Sequence, residues 1–215
     1  MVGFPIFKPT DSVRFLNKVP RVFVLYFVWV AAASIYSTTL LADGVWEAPA
    51  EKTNYHLEFS KSERTLRIKH GSQIYREFVA ASGSGGAGDK TKTGDKHTPE
   101  GIYRITGFNN KSKFFLFMRL NYPNVKDAFY GLKNGIISRN EFDGIVGSLK
   151  QGRMPPQTTA LGGAIGIHGV GLETDEKLRI QAHMDWTDGC IALTNEDVTA
   201  LRAYVQVGTE VVILQ

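Results

Sequence analysis

Alternation of apolar and polar residues over residues 55–80 is the feature that most narrows the folds open to this chain. The apolar side chains fall into three short runs, separated by the turn-forming stretches SKSE and HGSQ. Because successive side chains of a strand point to opposite faces of a sheet, a period of two indicates strands with one buried face. Short polar turns between such strands favour antiparallel hairpins. The segment therefore predicts a β meander.

The middle of the chain carries weaker signals. Residues 82–101 are rich in glycine and charge, and we expect a mobile surface loop there. A strand-like stretch follows at residues 102–105. We interpret residues 107–160, whose periodicity is weak and mixed, as a cap-like insertion with one helix from Ser138 or Asn140 to near Gly152. The aromatic residues at positions 114, 115 and 117 are expected to pack in the core.

The C-terminal part has clearer elements. The stretch GGAIGIHGVG predicts a buried strand that ends in a glycine turn at His168. Thr194 or Asn195 can cap a following helix whose first turn is acidic, and Gly208 is expected to end it. The last residues, EVVILQ, predict a buried strand. The fold class is therefore mostly β, a sandwich or barrel-like meander with one or two helices.

The first 42 residues differ from the rest in composition. Basic residues at positions 8, 14, 18 and 21 precede an uncharged run from Val22 to Ala42. This order is typical of a secretory signal peptide, and the run is also long enough, at about 20 residues, to remain as an N-terminal membrane anchor. Residues 43–53 are interpreted as a linker and residues 54–215 as the folded domain. Both alternatives predict an exported protein of the periplasm or cell envelope. If the apolar run is retained, it would anchor the protein in the inner membrane.

The charge pattern argues against nucleic acid as a partner. The chain has 25 basic and 21 acidic side chains, a formal net charge of +4, and these charges are spread along the sequence. No block of lysine and arginine has the character of a nucleic-acid patch. A mild basic excess instead suits an acidic surface such as a cell wall.

The stretch WTDGCIALTNED contains the only cysteine, Cys190. Structural cysteines of exported proteins normally occur in pairs, so a single one indicates a free reactive thiol; an inert buried residue is the alternative. The turn lies shortly before a predicted helix, a position that favours a thiol pKa below its usual value near 8.5. A redox role fails for want of a partner cysteine.

A nucleophilic thiol needs a base, and the chain has five histidines. Those at positions 56 and 70 belong to the predicted hairpins and the one at 97 to the predicted loop, which leaves His168 and His183. We favour His168, because small residues surround it at a strand end; a structural role, with the ring bound to a backbone carbonyl, is the alternative.

A metal site has little support. His183, Asp185 and Asp188 form a polar cluster in the sequence, but their spacing matches no zinc motif. We therefore expect no metal.

Three motifs in order carry a family resemblance. IHG at 167–169, followed by TDGCIALTNED at 187–197, resembles the signature of the YkuD-type L,D-transpeptidases. HTPEGIYRI at 97–105 resembles a strand that these domains carry upstream, and YHLEFSKSERTLRI at 55–68 resembles their opening hairpin. The likeness covers residues 54–215 and implies an L,D-transpeptidase-like fold. The TDGC form resembles a Gram-negative subgroup, some of whose members cut wall linkages.

The resemblance also implies catalytic roles. Cys190 would be the nucleophile and His168 its base. The backbone carbonyl of Gly169 would orient the imidazole, and the amides of Gly189 and Cys190 would form the oxyanion hole.

Substrate contacts are expected near the same motif. Thr187 matches the family's hydroxyl position, and Asp188 stands where many members have a second histidine. We expect both, together with His183, to contact substrate. Ala192 stands where many members have an arginine, which removes one contact to a substrate carboxylate.

The implied activity is acyl transfer from peptidoglycan stem peptides through a Cys190 thioester, with no organic cofactor. The amine acceptor would be a second stem peptide, a D-amino acid or a wall-linked protein. A hydrolase that uses the same site is the alternative, either an L,D-carboxypeptidase or an amidase that releases wall-linked protein. An alternative of another class is a wall-binding module whose thiol is idle.

Overall fold

The structure is a computed structural model that describes residues 54–215. The predicted signal peptide or anchor (1–42) and the linker (43–53) lie outside the described residues. Among the residues described, no helix combines the length and the apolar character that crossing a membrane requires.

Eight strands and four helices make up the described part. The strands are β1 Tyr55–Ser60, β2 Thr65–His70, β3 Gln73–Val79, β4 Gly101–Ser112, β5 Phe115–Leu120, β6 Gly166–His168, β7 Ile191–Ala192 and β8 Glu210–Leu214. The helices are α1 Val125–Lys133, α2 Arg139–Lys150, α3 Asp175–His183 and α4 Asn195–Arg202.

All eight strands join in one sheet in the order β3-β2-β1-β8-β4-β5-β6-β7. The C-terminal strand β8 lies in the middle, parallel to β1 and antiparallel to β4. It thereby links the N-terminal meander to the strands that follow the loop. The mostly β class is confirmed, with more helices in the described residues than the one or two that were predicted.

The predicted hairpins are present. β1 pairs with β2 and β2 with β3, both antiparallel, and Phe59 lies opposite Leu66. Leu57, Phe59, Leu66 and Ile68 have no exposed surface. The alternation along the sequence thus marks the face that the sheet buries.

The insertion was predicted to begin at residue 107, but the first residues of the range 107–160 form strands. β4 continues to Ser112 and β5 pairs back along it, so residues 107–120 belong to the main sheet. The register shifts between Ile105 and Gly107 and again between Asn109 and Ser112. Such irregularities add residues to one strand and interrupt the period of two, which explains the weak signal.

Helices α1 and α2 form the rest of that segment. α2 begins as predicted, with Ser138 as the N-cap and Glu141 completing a capping box. Helix α1 was not predicted, although Asn124 and Asp127 form a second capping box at its start. Between the helices lies a small buried cluster of Ala128, Ile137, Ile145 and Leu161.

The loop between β3 and β4 is not a simple surface loop. Lys90 and Asp95 form an ion pair of 2.7 Å, and their side chains are only 4% and 8% exposed. Asp95 also accepts hydrogen bonds from the amides of Thr91 and Lys92. Charged residues can pack here because they bind one another and the local backbone.

The small cluster between α1 and α2 should contribute measurably to stability. Ile145→Ala is expected to lower the free energy of unfolding by about 2–5 kcal/mol, because it removes a fully buried side chain and leaves a cavity. Chemical denaturation would measure the change. Ile102→Ala is the matched control, since that side chain is 57% exposed, and it should cost less than about 1 kcal/mol. Equal losses in the two variants would contradict the burial of Ile145 in this cluster.

Candidate active site

His168 and Cys190 line one cavity of about 360 Å³. The cavity depends on the parallel pairing of β6 and β7, in which Ile167 lies opposite Ile191 and His168 opposite Ala192. Extending this register by one residue sets Cys190 opposite Gly166. Since side chains two residues apart share a face, His168 and Cys190 are diagonal neighbours, with Cα atoms about 8 Å apart from the ordinary spacing of strands.

The imidazole of His168 is held in one orientation. Its Nδ1 lies 2.7 Å from the carbonyl oxygen of Gly169. A carbonyl oxygen only accepts, so Nδ1 carries the proton and Nε2 of the neutral ring is left as an acceptor. His168 is 2% exposed, and burial lowers the pKa of its imidazole, against the opposing effect of the hydrogen bond to Gly169. The ring is therefore neutral near pH 7.

Aromatic side chains surround the imidazole. Phe114 stacks on it with ring centroids 4.3 Å apart, and Phe117 lies nearly parallel to it at 6.1 Å. Trp186 presents an edge at 5.9 Å. Phe114 and Phe117 were predicted to be core residues, and the structure instead shows them as walls of this cavity.

The backbone after His168 requires glycine. A Cβ at Gly169 would collide with Oδ1 of Asn195 and lie 3.0 Å from the carbonyl of Phe114. The Asn195 amide group also binds Gly171 on both sides, donating to its carbonyl at 2.7 Å and accepting from its N–H at 3.2 Å. The first residue of α4 thus fixes the turn whose carbonyl binds His168.

The thiol of Cys190 is free, and the residue is half-buried. Its Sγ lies 3.5 Å from the carbonyl oxygen of Ala164. Burial raises the pKa of the thiol to about 11; Asp188 adds to this rise, and a backbone hydrogen bond from Gly166 opposes it. The predicted lowering of this pKa is therefore wrong. Strand β7 separates Cys190 from the N-terminus of α4, so the helix does not supply the amides that would stabilise a thiolate.

The turn before Cys190 is braced by Thr187. The buried Thr187 hydroxyl donates to the carbonyl of Cys190 at 2.7 Å and accepts from the amide of Gly189 at 3.1 Å. Gly189 has φ +125°, and a Cβ there would lie 2.7 Å from the carbonyl oxygen of His97. Of the two amides predicted for the oxyanion hole, that of Gly189 is thus already bound to the Thr187 hydroxyl.

The other two predicted substrate contacts lie in different places. Asp188 lines the cavity with its side chain 89% exposed, and its Oδ1 lies 3.9 Å from Nζ of Lys96. His183 is the exposed last residue of α3 and is not part of the cavity lining. The structure therefore does not bring His183 to the site. In residues 54–215, no three histidine, cysteine or acidic side chains form a group that could hold a metal ion.

Trp186 also belongs to the site, although it was not predicted from the sequence. Its Nε1 donates to Oε1 of Gln181 at 2.9 Å, and the Gln181 amide donates to the carbonyl of Ala192 at 2.8 Å. These bonds attach the tryptophan to both α3 and β7. Its position directly before TDGC was the available signal.

Most of the chain matches the model of a known protein family. Residues 54–213 match YkuD, described as an L,D-transpeptidase catalytic domain. No curated protein sequence matches this chain.

Several solved structures of other proteins have a similar fold. Bd1075 from Bdellovibrio bacteriovorus is 21% identical with a TM-score of 0.46, over 75% of this chain and 48% of that one. The helical cell shape determining protein Pgp2 from Campylobacter jejuni is 22% identical with a TM-score of 0.46, over 74% and 46%. An L,D-transpeptidase from Xylanimonas cellulosilytica is 14% identical with a TM-score of 0.44, over 79% and 65%. The matched part thus spans about half the length of the first two proteins.

The charge state of Cys190 can be tested by alkylation. Because only the thiolate reacts and the thiol pKa is about 11, the rate with iodoacetamide should keep rising tenfold per pH unit up to pH 10. Mass spectrometry of quenched samples would give the rate constants, with N-acetylcysteine as the control that levels off above its pKa. A plateau in the protein near neutral pH would contradict the neutral thiol.

The role of the Thr187 hydroxyl can be tested with two substitutions of similar size. Thr187→Val removes the hydroxyl and leaves a buried amide and a carbonyl without their partner, which should cost about 1–3 kcal/mol of stability. Thr187→Ser keeps both hydrogen bonds and should cost less. Denaturant unfolding would compare them, and a serine variant as unstable as the valine variant would show that the hydrogen bonds are not what holds the turn.

Proposed function

This chain belongs to the YkuD family of L,D-transpeptidase catalytic domains, and on that premise we propose that it transfers acyl groups from peptidoglycan stem peptides through Cys190. The observation that carries the proposal is the presence, in one cavity, of a free thiol and a neutral imidazole whose Nε2 is left as an acceptor. A nucleophile beside a base that a third group orients is the arrangement of cysteine and serine acyl transfer.

The first half of the proposed reaction forms a thioester. His168 Nε2 takes the proton from the Cys190 thiol as Sγ attacks the peptide carbonyl, and the carbonyl electrons move onto its oxygen. When this intermediate collapses, the C–N bond breaks. The proton on Nε2 passes to the departing amine, which leaves as the released D-residue.

The second half returns the enzyme to its starting state. An acceptor amine attacks the thioester carbonyl and gives a proton to Nε2, the C–S bond breaks, and the proton returns to Sγ. The product is a new amide with a D-amino acid, a second stem peptide or a wall-linked protein. If water attacks in place of the amine, the same steps release a carboxylate, and the enzyme is a hydrolase.

Stabilisation of the oxyanion falls to backbone amides of the turn. An oxyanion that approaches Gly189 competes with the Thr187 hydroxyl for its amide, at the 3.1 Å contact present in the free protein. A correctly placed donor typically contributes about 3–4 kcal/mol to such a transition state. We propose that the negative oxygen, as the stronger acceptor, replaces Thr187 at Gly189 while the hydroxyl keeps its bond to the Cys190 carbonyl.

The proposed substrate also determines where the protein must act. Peptidoglycan lies outside the cytoplasmic membrane, so the chain must be exported to act on it. The basic and apolar composition of residues 1–42 supports export to the periplasm or cell envelope.

The test is mass spectrometry of tetrapeptide-bearing muropeptides incubated with the wild-type protein and with Cys190→Ala, each with and without an added D-amino acid. Transpeptidation predicts that the wild type exchanges the terminal D-residue for the added one. Cys190→Ala, which lacks the thiol, should leave the muropeptides unchanged.

Two other results would change the proposal. Loss of the D-residue without exchange would assign the hydrolase. Unchanged muropeptides with the wild type, together with retained wall binding by Cys190→Ala, would reject catalysis in favour of a binding module.

A further inference from the structure

A second groove, of about 610 Å³, adjoins the cavity of Cys190. Phe117 lines both spaces, so the two are neighbours on the face of β5. Arginines 104, 119 and 153 stand among the residues that line the groove, and no carboxylate does. A concave surface with several cations and no acid favours an anionic ligand.

Two of these arginines have no partner in the part of the chain that the structure describes. Arg104 binds Glu210 at 2.9 Å and the carbonyl of Gly208 at 3.1 Å. The exposed guanidinium groups of Arg119 and Arg153 form no salt bridge or hydrogen bond with any of residues 54–215. Outside the groove, Arg64 and Arg139 have carboxylate partners, whereas the exposed Arg179 of α3 has no partner among the described residues.

The sheet register sets Arg119 in line with Cys190. On β5, Arg119 lies opposite Gly166 of β6, and extending the β6–β7 register by one residue places Cys190 opposite Gly166 on the other side. From the ordinary strand spacing, the Cα atoms of Arg119 and Cys190 are about 10 Å apart, the length of about three extended residues. A peptide with its scissile carbonyl at Cys190 can therefore reach Arg119 with a neighbouring group.

We propose that this groove is a subsite for a carboxylate of the peptide substrate, and that Arg119 and Arg153 determine specificity for it. The inference rests on the proposed function and names the feature of the substrate that the site selects. An arginine fork binds a carboxylate through two parallel hydrogen bonds, a geometry that neither an amide nor a neutral side chain reproduces.

The test measures binding separately from turnover. Full-length Cys190→Ala is titrated by calorimetry with four synthetic stem tetrapeptides, which differ only in whether the third-residue side-chain carboxylate and the C-terminal carboxylate are free or amidated. Amidation of the recognised carboxylate should raise Kd at least tenfold. The pair that shows the change identifies which of the two carboxylates occupies the groove.

Substitution of the groove arginines tests whether they cause the effect of amidation on Kd. In the Cys190→Ala background, Arg119→Ala and Arg153→Ala should each weaken binding of the free peptide and shrink the penalty of amidation, whereas Arg119→Lys should keep part of it. Arg139→Ala is the control, because it removes one positive charge outside the groove. In the protein with Cys190 intact, Arg119→Ala should raise KM for the free peptide and leave kcat nearly unchanged.

The outcomes separate the two proposals. Equal Kd values for free and amidated peptides, or an amidation penalty that survives Arg119→Ala and Arg153→Ala together, would overturn the subsite even if Cys190-dependent turnover is present. An amidation penalty that depends on Arg119, in a chain whose wild type turns nothing over, would support the subsite and count against the proposed reaction.

Discussion

The parallel pairing of β6 with β7 is the contact on which the whole site depends. Both strands are very short, yet their register is held from both sides. β5 pairs with β6, and Ala81 exchanges two hydrogen bonds with Ala192 of β7, at 2.8 and 2.9 Å. Neither strand can shift without breaking bonds to a third segment. The relative position of thiol and imidazole is therefore built into the backbone of the sheet rather than left to flexible side chains.

Burial of His168 and Cys190 favours the neutral form of both side chains. Desolvation disfavours the charged form of each, so it lowers the pKa of the His168 imidazole and raises that of the Cys190 thiol. A preformed pair of thiolate and imidazolium is thus disfavoured in the free protein. The hydrogen bond from Nδ1 to the Gly169 carbonyl fixes the tautomer of the neutral ring, and it partly offsets the effect of burial on the imidazole pKa.

Local signals predicted the parts of this arrangement that depend on local sequence. The hairpins of β1–β3, the Ser138 cap and the strand before His168 each rest on a few adjacent residues. The bulged pairing of β4 with β5 hid its own periodicity, so residues 107–120 were taken for an insertion. The fall predicted for the thiol pKa was wrong because a sequence shows the nearby helix but not the burial of the thiol. The stacking of Phe114 and Phe117 on His168 depends on pairing between strands about 50 residues apart in the chain, which no local pattern reports.

Gly166 lies against Phe117, the residue that lines both spaces. It stands between Arg119 and Cys190 in the register of β5, β6 and β7, and it has no side chain of its own on that face. The carbonyl oxygen of Met118 and the ring of Phe117 occupy the place instead, with Phe117 Cζ 2.5 Å from where a Cβ of residue 166 would be. The same ring lies parallel to the His168 imidazole and lines both the cavity and the groove. A side chain at position 166 would collide with the Met118 carbonyl and with Phe117, and so would disturb both the pairing of β5 with β6 and the packing against the His168 imidazole. The glycine is thus required by the shape of the site, although it carries no chemistry itself.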